Sequence, residues 1–96
     1  MNPFEALERH YPKTIQQMNN RFNAPQFILE LAHQHQGLYI QALAQYADHD
    51  APFQAVHRQL AQTLSKFKDL IAHDGQESST DIFGHSNSAS VWIKRG

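Results

Sequence analysis

The sequence contains no cysteine, which excludes disulfide bonds, thiolate zinc sites and a cysteine nucleophile. Its four glycines form neither a phosphate-binding loop nor a Gly-x-Ser-x-Gly motif, and no paired-carboxylate signature is present. The serines fall where turns are expected, and a turn is a common place for serine. These absences predict a protein without enzymatic activity and without a small-molecule cofactor.

Long apolar runs are also missing. No segment approaches the roughly 20 apolar residues that a membrane-spanning helix needs. The first residues lack the basic start and apolar stretch of a signal peptide. We therefore expect a cytoplasmic protein with no membrane partner.

The chain has almost no excess of charge of either sign, with a formal net charge of −1 and a pI near 6.6. A protein with so little charge has no global field that attracts nucleic acid or a membrane surface. DNA binding would therefore depend on a local basic patch. With 96 residues and 41% hydrophobic positions, the chain is predicted to form one domain with one modest core.

Apolar spacing predicts helices over most of the chain. Two proline-containing segments indicate short helices within residues 3–19. Asn23 and Gln26 have the spacing of a capping box at the start of a helix over 25–48, in which apolar residues recur at helical positions. Asp50 is suited to cap a second long helix over 51–73.

The C-terminal part changes to the period of a β-strand and predicts a β-hairpin over 80–95. An isolated hairpin is unstable, so one face must dock on the helices. Either Phe83 and Trp92 are the anchors, or the opposite face with Ile82, Val91 and Ile93 is. We thus expect a mainly α, small α+β domain that ends in a hairpin.

Residues 31–43 resemble a helix-turn-helix core, with Leu-Ala at 31–32, a turn glycine at Gly37 and an apolar Leu43 six positions later. Gly37 comes one residue later than is usual in that family. The alternative is one uninterrupted helix with Gly37 on its solvent face, and the continuous apolar period favours this alternative.

The order of helices followed by a hairpin resembles the winged-helix architecture, in which the hairpin is the wing. The resemblance implies a nucleic-acid-binding regulatory domain whose recognition helix carries Gln36, Tyr39 and Gln41. It also implies a wing over residues 85–90. Four basic residues would contact phosphates, and these are Arg58, Lys66, Lys94 and Arg95.

The near-neutral charge also fits a protein-interaction or self-associating module, with a protein partner or a second copy in place of DNA. Tyr39, Ile40 and Trp92 would then be the anchors to examine, because aromatic and large apolar side chains dominate interfaces.

The histidines suggest metal binding, but their spacing argues against it. No two histidines stand three or four residues apart, as a helical metal pair requires. His35 lies in the middle of an apolar helix face, and His57 lies at the edge of the next one. We expect His35 to be a core histidine. A site made of His35, His57 and Asp81 is the less favoured alternative.

Overall fold

The computed structural model describes residues 2–80 and 84–95, which form five α-helices and a three-stranded antiparallel sheet. The helices are α1 (Pro3–Glu8), α2 (Tyr11–Gln17), α3 (Ala24–Gln34), α4 (Gln36–Ala44) and α5 (Pro52–Thr63), with a 3₁₀ turn at Leu64–Lys66. The strands are β1 (Arg21–Asn23), β2 (Ile71–Thr80) and β3 (Ser86–Lys94), in the order β1–β3–β2. The predicted C-terminal hairpin is therefore confirmed, with β2 and β3 as its strands, but it begins at Ile71 and not at residue 80.

One hydrophobic core joins the helices to the sheet. Tyr11 is fully buried within it, and its hydroxyl donates to the Leu60 carbonyl oxygen at 2.6 Å. This bond satisfies the polar atom of an otherwise apolar ring, and burial raises the pKa of Tyr11 above its ordinary value. Further fully buried side chains of the core are Leu7, Phe27, Val56, Leu64 and Ile71.

Asn23 lies where β1 ends and α3 begins, and the predicted capping box is confirmed there. Its Oδ1 accepts from the Gln26 N–H at 2.9 Å, while the Gln26 side chain accepts from the Asn23 N–H at 2.9 Å. The remaining donor, Nδ2, reaches β2, where Glu77 Oε2 and Ser79 Oγ each accept at 3.0 Å. Asn23 therefore fixes the start of α3 against the far strand of the sheet.

Strand β1 was not predicted, because three residues are too few for an alternating pattern. It pairs with the base of β3, and in this register Phe22 lies opposite Trp92. Both rings are buried in the core, so Trp92 docks the hairpin on the helices. Val91 is also buried whereas Ile93 is exposed, and Ile82 and Phe83 lie outside the described residues.

The predicted single helix over 25–48 is two helices. His35 has φ −130° and ψ 56°, outside the helical region, and separates α3 from α4. The side-chain amide of Gln36 donates through Nε2 to the His33 carbonyl oxygen at 3.1 Å. This bond satisfies a carbonyl in the last turn of α3. Apolar periodicity continues across the break because both helices pack on one core, and periodicity alone does not reveal such a break.

The predicted helix over 51–73 is also shorter than expected. α5 ends at Thr63, and after the 3₁₀ turn the chain enters β2 at Ile71, whose side chain is fully buried in the core. Gly75 follows in β2. It has φ +84° and lies in a β-bulge, where the register of β2 against β3 shifts between His73 and Gln76.

The break in the long helix carries a stacked pair of histidines. The rings of His35 and His10 lie 3.8 Å apart between centroids, with 18° between their planes. His35 is half-buried rather than a core residue, which corrects the expectation from its place on the apolar face. His10 precedes α2, so the pair connects the α1–α2 corner to the α3–α4 break.

We predict that Asn23→Ala lowers the free energy of unfolding by about 2 kcal/mol, because the variant loses the helix cap together with two side-chain hydrogen bonds. Urea unfolding followed by circular dichroism measures the change. Asn19→Ala, at an exposed position of the loop before β1, is the matched control and should change stability little. Equal effects of the two substitutions would contradict the role given to Asn23.

We also predict that the domain loses stability as the pH falls below about 6.5. Burial lowers the pKa of His35 from its ordinary value of 6.5, and the nearby charges of His10 and Lys13 lower it further. The folded state therefore favours the neutral ring, so stability is complete above pH 6.5 and declines below it, towards the lower pKa of the folded state.

The measurement is the urea midpoint at about pH 7.5 and about pH 5.5. His35→Gln should lose less stability between these pH values than the native chain. His33→Gln removes an exposed histidine of the same helix and should behave like the native chain. If both variants lose as much as the native chain, His35 is not the group that titrates.

Candidate functional site

Two neighbouring cavities lie between α5 and the hairpin and share Arg58, Ala61 and Ser90. The first measures about 300 Å³ and also contacts the start of α3; the second measures about 480 Å³ and extends towards β2. Together they form what we call the α5–hairpin groove. Its helical wall consists of Gln54, His57, Arg58, Ala61, Gln62 and Ser65, and its strand wall consists of Asn87, Ser88, Ala89, Ser90 and Trp92.

The helical wall has a polar stripe because α5 is amphipathic. Val56 and Leu60 are buried, and Arg58 lies two residues from each, which at 100° per residue places it on the opposite side of the helix. Gln54, Arg58 and Gln62 follow each other at intervals of four residues and are exposed. The stripe therefore presents two amides and a guanidinium along one face.

The charges of the groove are all of one sign. Arg58 and Lys68 are its two formal cations, and none of the residues that line either cavity is acidic. Neither cation forms an ion pair with any residue in 2–80 or 84–95. Asp74 and Glu77 on β2 are both bound by Arg21, at 3.3 and 3.1 Å. The groove is thus a cationic surface on a nearly neutral domain.

The strand wall is polar and uncharged. Side chains alternate along a strand, so Ser88 and Ser90 lie on the face of β3 that carries the buried Trp92. The cross-strand partners of this face are also uncharged, with Ser78 opposite Ser88 and Gln76 opposite Ser90. This face of the hairpin therefore carries hydroxyl and amide groups and no formal charge at these positions.

Two of the predicted phosphate contacts, Lys94 and Arg95, donate hydrogen bonds to backbone carbonyls. The Lys94 ammonium donates to the carbonyls of Gln16 and Met18 at 2.9 and 2.8 Å, at the end of α2. Arg95 donates through Nε to the Lys68 carbonyl at 2.6 Å. Both cations satisfy backbone acceptors that a helix end or a turn leaves open. Neither residue lines the α5–hairpin groove.

Lys66 is also engaged, through an ion pair of 3.1 Å with Glu8 of α1. Of the four basic residues predicted to contact phosphates, only Arg58 lines the groove. The second cation of the groove, Lys68, is not among the predicted residues.

The three predicted recognition residues of α4 do not share one face. Tyr39 and Gln41 are two positions apart, which on a helix is about 200°. The Tyr39 hydroxyl is 2.5 Å from Nε2 of His57 on α5, and burial raises the pKa of Tyr39. Gln36 bonds to the end of α3, and Gln41 is exposed. Helix α4 packs mainly between α1 and α5, and it is α5 that lines the groove.

The two histidines of the alternative metal site have different contacts. His35 stacks on His10, whereas His57 contacts Tyr39. Asp81 lies outside the described residues. Within residues 2–80 and 84–95, no group of three or more potential ligands is arranged to hold a metal ion.

One signal in the sequence points to the groove. Between Asp50 and Asp69 the chain has no acidic residue, and this acid-free stretch contains Arg58 and Lys68. The spacing of Gln54, Arg58 and Gln62 adds a polar stripe at helical intervals. The absence of carboxylates from this stretch is the feature of the sequence that indicates the cationic surface of α5.

Comparison with protein-family models, with curated proteins and with solved structures finds no match for this chain. In the part of the chain that the structure describes, no helix has the length and apolar character to cross a membrane.

We predict that Lys94→Met lowers the free energy of unfolding by about 1–2 kcal/mol, because two carbonyls at the end of α2 lose a charged donor. Thermal unfolding measures the change. Lys13→Met on α2 removes the same charge from an exposed side chain and is the control. A Lys94 variant as stable as the Lys13 variant would show that Lys94 has no structural role.

Proposed function

We propose that this protein binds nucleic acid through the α5–hairpin groove. The observation that carries the proposal is the acid-free lining of the groove, with Arg58 and Lys68 free of ion pairs among the described residues. A surface that binds a phosphate backbone needs cations without carboxylates beside them. The alternative is binding to a second copy of the chain or to a protein partner.

The order of the elements supports a winged-helix-like arrangement. A short strand precedes α3, the hairpin follows α5, and β1 pairs with the second hairpin strand to give the order β1–β3–β2. In this arrangement the helix before the hairpin is α5, and the hairpin is the wing. The proposal therefore assigns recognition to α5 instead of α4.

The side chains of the α5 stripe suit the edges of base pairs. An α-helix fits the major groove of B-form DNA, where arginine pairs with guanine and glutamine pairs with adenine. Arg58 is flanked by Gln54 and Gln62 at intervals of four residues, on the side opposite the core. Lys68 and the hydroxyls of Ser88 and Ser90 are suited to phosphate oxygens.

The alternative function is a protein-interaction or self-associating module. The observation that favours it is the exposure of large apolar side chains on three helices, with Leu29 at 54%, Ile40 at 63% and Phe53 at 40%. Of the anchors named from sequence, Ile40 is exposed, Tyr39 is half-buried and Trp92 is buried. A molar mass that rises with concentration in light scattering would favour this alternative.

The test is fluorescence anisotropy of a mixed-sequence duplex at low salt, with the native chain and two charge-matched variants. Arg58→Gln should weaken binding about tenfold and reduce the dependence of affinity on salt by about one phosphate contact, because the groove loses one of its two cations. Lys13→Gln removes the same charge from α2, outside the groove, and should bind as the native chain does.

Absence of binding at about 20 mM salt would overturn the proposal, since electrostatic binding is strongest there. Equal weakening by both variants would also count against it, because the effect would then follow net charge instead of the groove.

A further inference from the structure

The first cavity of the groove has the form of a small-molecule site. We propose that it binds a small organic monocarboxylate, held by Arg58, and that this ligand competes with nucleic acid for the same guanidinium. The binding site stands on the geometry alone. The competition rests on the proposed function.

One part of the wall of this cavity is apolar. It is formed by Ala24 and Ile28 of α3, Ala61 of α5 and Ala89 of β3, together with Pro25. Ala24, Ile28 and Ala89 are each at most 5% exposed, so this wall is part of the packed interior. A cavity of about 300 Å³ with such a wall suits a compact apolar body, because ligand sites are mostly apolar with a few polar groups that fix orientation.

The polar side of the cavity selects an anion. Arg58 is the one formal charge among its lining residues, and no carboxylate lines it. The remaining polar groups are the amides of Gln54 and Asn87, the hydroxyls of Ser88 and Ser90, and the ring of His57. A planar guanidinium pairs with a carboxylate through two parallel hydrogen bonds. One cation beside an apolar wall suits a monocarboxylate better than a phosphate dianion, which needs more positive charge.

A strand edge provides a further donor beside Arg58. Four consecutive residues, 87–90, line the cavity, which indicates the edge of β3 and not one of its faces. β1 pairs only with positions 91–93, so β1 does not extend along this part of the edge. The Ser88 N–H donates at 2.8 Å to Oδ1 of the neighbouring Asn87, an exposed side chain. A carboxylate oxygen can replace that amide oxygen without loss of a hydrogen bond.

The site and the nucleic-acid surface share one group. Arg58 lines both cavities, and the second cavity holds the other cation of the groove, Lys68. A guanidinium that is paired with a carboxylate in the first cavity is not available to a base or a phosphate. A bound monocarboxylate therefore weakens nucleic-acid binding, and nucleic acid weakens the binding of the monocarboxylate to the same extent.

The experiment is a titration of the labelled protein with benzoate, followed by amide and arginine side-chain NMR signals. Benzamide, which has the same shape without the charge, is the control ligand. We expect saturable shifts at Ser88, Ala89 and the Arg58 Nε–H with benzoate, and at least about tenfold weaker binding of benzamide. Arg58→Gln should weaken benzoate binding by a similar factor, while Lys68→Gln, which changes only the second cavity, should retain it.

Three results would overturn the site: no saturable shift with benzoate, equal shifts with benzamide, or equal benzoate binding by Arg58→Gln. Anisotropy of the duplex with added benzoate then tests the competition. If benzoate binds and the duplex binds but neither affects the other, the competition is wrong. If benzoate binds and the duplex does not, the site stands and the proposed function fails; if the duplex alone binds, the site fails and the function stands.

Discussion

The hydrogen bonds of Asn23 are the constraint on which the arrangement of helices and sheet depends. The Asn23 side chain caps α3 and donates to Glu77 and Ser79 on the far strand of the sheet. Its backbone N–H donates to the side chain of Gln26. Because Asn23 is 4% exposed, a polar atom of its side chain without a partner would be costly. These hydrogen bonds hold the first turn of α3 against the sheet, where Ala24 and Pro25 become part of the cavity wall.

The basic residues divide by what their charges contact. Arg21, Lys66, Lys94 and Arg95 are engaged by carboxylates or backbone carbonyls and connect elements that are distant in sequence. Arg58 and Lys68 project from α5 and from the turn after it, into a region without carboxylates. A count of basic residues does not separate these two groups. Their hydrogen-bond and ion-pair partners separate them. Lys66, Lys94 and Arg95 each have such a partner outside the groove, and Arg58 alone of the four predicted phosphate contacts lines it.

Much of the fold could be predicted from local signals, and the errors at the ends of the two long helices have one cause. The capping box at Asn23 and the C-terminal hairpin depend on short-range chemistry that the sequence displays directly. The predicted long helices extend too far because apolar residues that pack on the core recur on both sides of His35, and again at Phe67 and Ile71, although the backbone leaves the helix there. The contact of Tyr39 on α4 with His57 on α5 could not be predicted, because the two residues lie 18 positions apart and no local pattern connects them.

The two functional alternatives become complementary when the charges of the groove are considered. Each phosphate contact contributes about one released counterion, and proteins that bind DNA tightly make many such contacts. The groove offers two formal cations on a domain of net charge −1, so one copy has neither the contacts nor the long-range field for tight binding. Under the proposed function, useful affinity would therefore require several copies on one nucleic acid, because linked binding events multiply. Leu29, Ile40 and Phe53 are exposed apolar side chains that such copies could bury, so the two proposed functions would support each other.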